Sequence, residues 1–418
     1  MPLRLSGNYI TIVKQLILTD KNNILIIGAF DRYNYGDLLF PLVIEAQLRT
    51  YGRPFHASYF GIIESDLRAV GGKPTQDIRA FYEQCNQPEG HTSVIVAGGE
   101  AVAVTWNSLL LALNKLFMRT RRFHRHLEKV IDLNDFARRI LHGQTELPFA
   151  VTPADFKGVN RVIFNSLGGS ELGSSVFGRF PRLRDRLQQV DYFAVRDRAT
   201  HVNMEKQGIH THLYPDSAIL MSKFYPRTEL IEKVSPPVAD FTGRQCGKYL
   251  FFQVKDSHAR NNEQQIARQL NAIAERHPDV HLCLCPIGKA LNHDDHLALQ
   301  RIAPLLRYPY TFFETVTIWD IMGLIAHAKA YMGTSLHGAI TAMSYAVPYV
   351  GVVVPKLNSY LQTWGVDGIN QTVALDELAE AFQRAISVDK VLLDRSREEQ
   401  LCAAETSFSK IATLVLPE

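Results

Sequence analysis

The chain has 418 residues, of which 46% are hydrophobic and 21% charged, and its formal net charge is +3. At about 100–200 residues per domain this length predicts two globular domains, and the mild charge argues against nucleic acid as a partner. The five scattered cysteines predict no disulfide framework, which fits a reducing cytoplasm. The N-terminus lacks the features of a signal peptide and no stretch approaches the ~20 apolar residues of a membrane span. We therefore expect a cytoplasmic protein.

Short apolar runs alternate with amphipathic segments along most of the chain. The pattern predicts strands at 23–30, 92–97, 159–165, 192–195, 249–254, 280–285, 330–332 and 349–353. It predicts helices at 38–51, 196–207, 262–276, 293–306, 317–328, 336–345, 376–386 and 395–411. Because apolar strands alternate with helices, we expect α/β domains whose parallel sheets are covered on both faces.

Residues 222–248 interrupt this alternation with three prolines and two glycines. Such a composition is typical of an inter-domain linker. The sequence therefore predicts an N-terminal Rossmann-like domain at 1–222, a linker at 223–248 and a C-terminal Rossmann-like domain at 249–418. Ligands of such sheets bind beyond the carboxyl ends of the strands, so we expect a cleft between the domains.

The segment 109–126 reads LLLALNKLFMRTRRFHRH, an apolar stripe followed by a basic cluster. One interpretation is an amphipathic helix with a solvated end. The other is a surface helix that rests on anionic lipid, or a basic patch for a phosphorylated carrier.

Polar side chains gather where predicted strands end. Asn34 and Asp37 open a helix after the first strand, where they could cap it or serve a ligand. Gly98 and Gly99 follow the strand at 92–97, and paired glycines there permit a close approach. Arg196 ends another strand.

The Arg196 side chain could reach into the cleft to bind a carboxylate or phosphate. It could equally form a structural pair with Asp197 or Asp216. Further along, Thr334, Ser335 and His337 begin a helix, where free N–H groups favour anions. His337 could cap that helix, or exchange a proton near neutral pH.

Two clusters suggest metal binding at first sight. Cys283 and Cys285 lie two residues apart on a strand and are interpreted as core packing, since a metal site needs more ligands. The stretch 292–296, NHDDH, is interpreted as the start of a helix. We predict no metal site.

Five motifs occur in order along the chain: YNYGD, VAGGE, VRDRAT, YPDSA and GTSLHGAITAMSYAVPYVGV. Together they resemble the polysaccharide pyruvyl transferase family. The resemblance implies a fold like that of B-type glycosyltransferases, with two Rossmann-like domains and a central cleft. It implies transfer of pyruvate from phosphoenolpyruvate to a pair of sugar hydroxyls on a bacterial surface polysaccharide or its precursor. The product is a pyruvate ketal, and no cofactor is expected.

The resemblance also implies roles for single residues. Arg196 would clamp the donor, His337 would contact phosphate or donate a proton, and Asp37 would act as base or orient the acceptor. Further donor-binding residues would be Thr334, Ser335, Gly338 and Lys356. Secondary or acceptor-side residues would be Asn34, Gly98, Gly99 and Asp216.

Ser335 departs from the family pattern, because many members have an arginine two residues before the histidine. The missing cation would then be supplied by Lys356, Lys255 or Arg32.

Two other functions fit the sequence: a nucleotide-sugar glycosyltransferase of the same fold, and a non-catalytic relative that binds glycan. The glycan acceptor could be lipid-linked, with peripheral contact at the inner face of the membrane, or a free polymer. The acceptor sugar, the bridged hydroxyls, the ketal stereochemistry and the oligomeric state stay open.

Overall fold

The chain forms two six-stranded parallel sheets flanked by helices. The computed structural model describes residues 22–87, 90–120, 124–127, 131–169, 172, 174–288 and 294–417. Among these residues no helix is both long and apolar enough to cross a bilayer.

The first sheet belongs to the N-terminal domain and has the strand order β2-β1-β5-β6-β7-β8. A small antiparallel hairpin, β3–β4, follows β2. The strands are β1 (Asn22–Ile27), β2 (Phe55–Phe60), β3 (Ser65–Asp66), β4 (Pro74–Thr75), β5 (Thr92–Ala97), β6 (Val159–Leu167), β7 (Tyr192–Val195) and β8 (His212–Leu213). The helices are α1 (Tyr35–Arg49), α2 (Ile78–Cys85), α3 (Trp106–Leu113), α4 (Lys115–Arg119), α5 (His124–Leu127), α6 (Leu133–Ile140), α7 (Ser174–Arg179), α8 (Leu183–Leu187) and α9 (Arg198–Glu205).

The second sheet has the order β11-β10-β9-β12-β13-β14. Its strands are β9 (Tyr249–Gln253), β10 (His281–Leu284), β11 (Tyr310–Phe312), β12 (Ala330–Gly333), β13 (Tyr349–Val352) and β14 (Thr372–Val373). The predicted linker contains three short helices, α10 (Met221–Phe224), α11 (Arg227–Leu230) and α12 (Pro236–Gln245). The remaining helices are α13 (Asp256–Ala259), α14 (Glu263–Arg276), α15 (Asp295–Ile302), α16 (Ile318–Ala326), α17 (Leu336–Ser344), α18 (Pro355–Trp364), α19 (Leu378–Ile386) and α20 (Lys390–Val415).

The last helix, α20, returns to the N-terminal domain. Its Ser407 hydroxyl lies 3.0 Å from the hydroxyl of Tyr192 in β7. Glu405 pairs with Lys223 at 2.5 Å. Phe408 and Ile411 are buried in a core that also contains residues of the first sheet. The C-terminal segment therefore ties the two domains together.

The strand orders define where a ligand crevice forms. In each sheet the chain winds outward in both directions from one strand, β1 in the first and β9 in the second. Helices after neighbouring strands then diverge and leave a crevice at the carboxyl ends. The crevices lie between β1 and β5 and between β9 and β12.

The structure also corrects the prediction for 109–126. This segment is not one amphipathic helix, because α3 ends at Leu113. The side chain of the next residue, Asn114, accepts hydrogen bonds from the N–H groups of Leu116 and Phe117 at 2.9 and 3.0 Å. Asn114 thus caps a new helix, α4. Residues 121–123, which include the basic Arg121 and Arg122, lie outside the described residues.

Candidate active site between the two domains

A cavity of about 300 Å³ opens at the carboxyl ends of both sheets. Nine of the eleven predicted site residues line it, so the structure brings most of the predicted set together. They are Asn34, Asp37, Gly98, Gly99, Arg196, Thr334, Ser335, His337 and Lys356. The other two, Asp216 and Gly338, lie behind this lining and contact it.

The two crevices explain why these residues meet. Asn34 and Asp37 follow β1, while Gly98 and Gly99 follow β5, and these strands flank the first crevice. His337 follows β12, which flanks the second crevice. Each residue is therefore placed by the general rule for open parallel sheets.

His337 lies in the first turn of α17 and its imidazole packs between the two domains. Its Nε2 is 3.5 Å from Oδ2 of Asp216, and its ring meets the Phe40 ring edge-on, with centroids 5.4 Å apart. A Cβ added at Gly36 would lie 1.8 Å from His337 Nδ1. The glycine of the YNYGD motif is thus needed for α1 to approach the histidine.

Asp37 is held by its neighbour Asn34, which donates a hydrogen bond from Nδ2 to Oδ2 of Asp37 at 2.6 Å. The Asn34 side chain makes no capping bond to α1, so capping does not account for it. Burial raises the pKa of Asp37 above its usual value, although His337 and Arg32 partly oppose that shift. A carboxyl group with a raised pKa beside a cavity is suited to proton transfer.

Arg196 is almost fully buried between two carboxylates. Its Nη2 donates to Oε1 of Glu100 at 2.8 Å and its Nη1 to Oδ2 of Asp216 at 3.2 Å. The structural pair with Asp216 considered from the sequence is therefore confirmed. A Cβ at Gly168 would lie 2.5 Å from Arg196 Nη2, so this glycine makes room for the guanidinium.

Asp216 is fully buried and contacts both Arg196 and His337. Burial raises its pKa, but the histidine and the guanidinium outweigh that effect and hold the pKa below its usual value. The N–H of Ala218 also donates to Oδ1 at 3.0 Å. Asp216 is therefore a buried anion that connects two predicted site residues.

The start of α17 is organised by Gln253, at the end of β9. Its Oε1 accepts hydrogen bonds from the N–H groups of Thr334 at 3.1 Å and Ser335 at 3.0 Å. Ser335 caps the helix by accepting from the Gly338 N–H at 3.2 Å. The hydroxyl of Ser335 is thus engaged, and Gly338 takes part through its backbone.

Gln253 is fixed in turn by Asp295. The Gln253 Nε2 donates to Oδ2 of Asp295 at 2.8 Å, and the N–H groups of Ile287 and Gly288 donate to the same oxygen. Burial raises the pKa of Asp295 to about 7. The stretch at 292–296 was interpreted as a helix start, and α15 begins at Asp295, while residues 292 and 293 lie outside the described part.

Sequence reasoning missed Glu100, Gln253 and Asp295 as site residues. Glu100 and Gln253 carried a usable signal, because each is a polar residue at the end of a buried strand. Asp295 carried no such signal, since a helix-capping role explained it.

Besides Arg196, three cationic side chains line the cavity: Arg32, Lys255 and Lys356. Burial, together with the nearby Arg196, lowers the pKa of Lys356. Arg32 pairs through Nε with Asp31 at 2.8 Å, while its buried Nη2 has no hydrogen-bond partner in the described part of the chain. The backbone N–H of Lys255 donates to the Thr334 hydroxyl at 3.0 Å, which places Lys255 beside the start of α17.

Residues 160–354 match the family model described as Polysaccharide pyruvyl transferase. This confirms the predicted resemblance to that family over these residues. The match includes Arg196, Asp216 and His337 of the pyruvyl transferase motifs, whereas Asp37 and Asn34 lie before it. No curated protein matches the chain.

Several solved structures share the architecture of the whole chain. UDP-GlcNAc 2-epimerase from Neisseria meningitidis, bound to UDP-GlcNAc, is 10% identical with a TM-score of 0.52, covering 95% of this chain and 100% of that one. The Methanocaldococcus jannaschii UDP-GlcNAc 2-epimerase is 12% identical, with a TM-score of 0.51 and coverage of 94% and 99%. S. aureus MnaA with UDP is 12% identical, with a TM-score of 0.52 and coverage of 94% and 96%. This likeness confirms the B-type glycosyltransferase fold.

Proposed function

We propose that the protein transfers pyruvate from phosphoenolpyruvate to two hydroxyls of a glycan. The methylene carbon of the donor gains a proton, and one hydroxyl oxygen bonds to the adjacent carbon. The second hydroxyl oxygen then bonds to the same carbon as the C–O bond to phosphate breaks. The two hydroxyls lose two protons in all. One compensates for the proton that the methylene carbon gains in becoming a methyl group, and the other leaves with the released phosphate.

One observation carries this proposal: an acid–base pair and a group of cations share one small cavity. His337 and Asp37 lie with Arg32, Lys255 and Lys356 around about 300 Å³. Phosphoenolpyruvate carries a carboxylate and a phosphate, so it needs fixed positive charge and N–H donors. The cavity offers both.

In this proposal His337 donates the proton to the methylene carbon or contacts the phosphate. Its ring lines the cavity, and its Nε2 lies 3.5 Å from the buried carboxylate of Asp216, which would stabilise a protonated imidazole. Asp37 takes a proton from the acceptor hydroxyl, which its raised pKa favours.

Arg196 is proposed as donor clamp. A guanidinium has five N–H donors, and Glu100 and Asp216 each engage one terminal nitrogen. Because these carboxylates neutralise part of its charge, we assign donor binding also to Lys356 and Lys255, which line the same cavity. Lys255 also lies beside Ser335, where many family members have an arginine.

The second candidate is a nucleotide-sugar glycosyltransferase, since fold neighbours were solved with UDP or UDP-GlcNAc. The cavity favours the smaller donor, because about 300 Å³ lies at the lower end of the range for ligand pockets. Among the described residues that line it, Phe149 is the one Phe, Tyr or Trp side chain available to a nucleobase. A non-catalytic glycan-binding protein would not need the buried acid–base pair.

The acceptor in this proposal is a surface polysaccharide or its precursor, and the reaction takes place in the cytoplasm without a cofactor. Peripheral contact with the inner face of the membrane is included, because a lipid-linked precursor would be met there.

Incubation with phosphoenolpyruvate and a panel of glycan acceptors tests the proposal. Acceptor-dependent phosphate release and a mass gain matching a ketal are expected. Thermal stabilisation by UDP-sugars but not by phosphoenolpyruvate would favour the second candidate. Glycan binding without a response to either donor would point to the non-catalytic alternative.

A further inference from the structure

Large hydrophobic side chains are exposed along one short stretch of the N-terminal domain. Fourteen such side chains occur in the described part of the chain, and five of them lie between residues 116 and 140. Their exposed fractions run from 40% to 70%. They are Leu116, Leu127, Ile131, Phe136 and Ile140. Exposed apolar residues scattered singly need no explanation, but a cluster marks a contact surface.

Ring contacts hold the helices α4, α5 and α6 of this stretch together. The Phe117 ring lies 4.8 Å from the His124 ring and 6.3 Å from the Phe136 ring, measured between centroids. The hydroxyl of Thr120 also lies 2.9 Å from His124 Nε2. We call the surface formed by Leu116, Leu127, Ile131, Phe136 and Ile140 the apolar patch.

The apolar face of helix α6 is only partly covered by the rest of the protein. Leu133 and Ala137 are buried, and the α3 and α6 contact is fixed by a 2.8 Å hydrogen bond from the Trp106 N–H to Asn134. At 3.6 residues per turn, Phe136 and Ile140 continue the same apolar face toward solvent. The exposed part of this face is therefore free to contact another apolar surface.

The charge of the segment that contains the apolar patch indicates what kind of partner it binds. The sequence from 115 to 139 contains eight Lys and Arg against three Asp and Glu, whereas the whole chain has a net charge of only +3. The rest of the chain is therefore slightly acidic, and the positive charge is concentrated in the same segment of the sequence as the apolar patch. A segment that combines exposed apolar side chains with many Lys and Arg residues in its sequence suits the interface of an anionic bilayer.

We propose that the apolar patch inserts into the interface of an anionic lipid bilayer. The inference rests on the proposed function and deepens it: Leu109 of α3 lines the cavity, and α4, which carries Leu116 of the apolar patch, follows α3 at Asn114. An enzyme docked in this way would present its cavity to a lipid-linked acceptor at the bilayer surface.

Vesicle co-sedimentation of the full chain tests the inference without donor or acceptor. We expect binding to vesicles of phosphatidylcholine mixed with phosphatidylglycerol, weak binding to phosphatidylcholine alone, and weaker binding as salt is raised. The triple variant Leu116→Ser, Phe136→Ser, Ile140→Ser should bind at least about tenfold more weakly, because three apolar side chains no longer move from water into the bilayer interface. The control Val391→Ser, Leu392→Ser, also at exposed positions, should bind like the wild type.

Equal binding of the triple variant and the wild type would overturn the inference, provided their urea unfolding midpoints agree. So would equal binding to the two kinds of vesicle. Sedimentation velocity adds a further check: a dimer that the triple variant abolishes would show that a second copy covers the apolar patch. Because the assay contains no phosphoenolpyruvate, its failure leaves the proposed transfer reaction intact, and failure of transfer leaves the vesicle result intact.

Discussion

Gly36 is the residue where a single methyl group should disturb both the fold and the candidate site. It is the second residue of α1, and it is buried against His337. In Gly36→Ala the new Cβ would lie 1.8 Å from His337 Nδ1 and 2.2 Å from its Cγ, whereas ordinary contacts begin at 3.4 Å. Because the imidazole is itself enclosed by Phe40 and Asp216, either the ring or the helix must move.

Two opposing terms set the size of the effect. Alanine in place of glycine ordinarily stabilises a helix by about 0.4–1 kcal/mol. Overpacking of a buried site costs about 1–3 kcal/mol. We therefore expect Gly36→Ala to lower the free energy of unfolding by about 1–2 kcal/mol. Displacing His337 by about 1 Å should also reduce phosphoenolpyruvate-dependent turnover about 100-fold.

Urea unfolding and phosphate release measure the two effects. Gly243→Ala is the matched control, because Gly243 lies inside α12 and a Cβ there meets nothing within 4 Å. It should raise stability by about 0.4–1 kcal/mol and leave turnover unchanged. If Gly36→Ala were as stable and as active as Gly243→Ala, the close packing of α1 on His337 would be refuted.

The remaining predictions concern the acid–base and loop residues. His337→Ala should reduce turnover by about 10²–10⁴-fold with the fold intact; near-normal turnover would remove its assigned role. Asp216→Asn should reduce kcat more than it changes KM and should shift the pH profile of kcat, because Asp216 contacts the His337 imidazole. An unshifted profile with an unchanged kcat would contradict that role. Turnover of the wild type should fall as pH is lowered through the raised pKa of Asp37, because a base must be ionised, and Asp37→Asn should be inactive at every pH tested. Ser335→Arg should be tolerated or should raise donor affinity, measured by calorimetry; loss of the folded state would mean the helix start is too tightly packed. The pKa of Asp295 is raised from 3.8 to about 7. As the pH rises from about 4 to about 7, the unfolded chain ionises Asp295 more readily than the folded protein does, so the wild type should lose stability relative to Asp295→Asn. Urea midpoints of the two proteins that run parallel across that range would contradict this.

Strand ends made the site predictable from the sequence. Asp37, Arg196 and His337 are far apart in the chain, yet each follows a buried apolar run. In a parallel sheet these ends share one edge, so their convergence follows from the pattern. For these three residues the family resemblance added roles, and it alone supplied Gly338 and Lys356 as candidates.

What the sequence could not show depends on contacts between distant residues. The chain of hydrogen bonds from Asp295 through Gln253 to Ser335 joins three segments of the sequence, and no local sequence pattern predicts it. Likewise, the double pairing of Arg196 with Glu100 and Asp216 became visible only once β5 and β7 were placed in one sheet.

Secondary structure shows a similar division. The strands β2, β3, β4, β11 and β14 were among those missed. Phe55–Phe60 alternates polar and apolar residues weakly, and the other four strands are only two or three residues long. The break at Asn114 was missed because the apolar spacing continues across it, while a capping side chain overrides that spacing. The return of α20 to the first sheet depends on tertiary packing alone.

The account depends most directly on the ketal-forming reaction at the cavity. The decisive measurement is the mass of a glycan acceptor after incubation with phosphoenolpyruvate and the protein, with released phosphate measured in parallel. We predict a mass gain matching one pyruvate ketal, one phosphate per ketal, and neither product with His337→Ala. The account would be contradicted if no acceptor in the panel gave phosphate release or a mass gain, while the protein transferred sugar from a UDP-sugar and His337→Ala abolished that transfer.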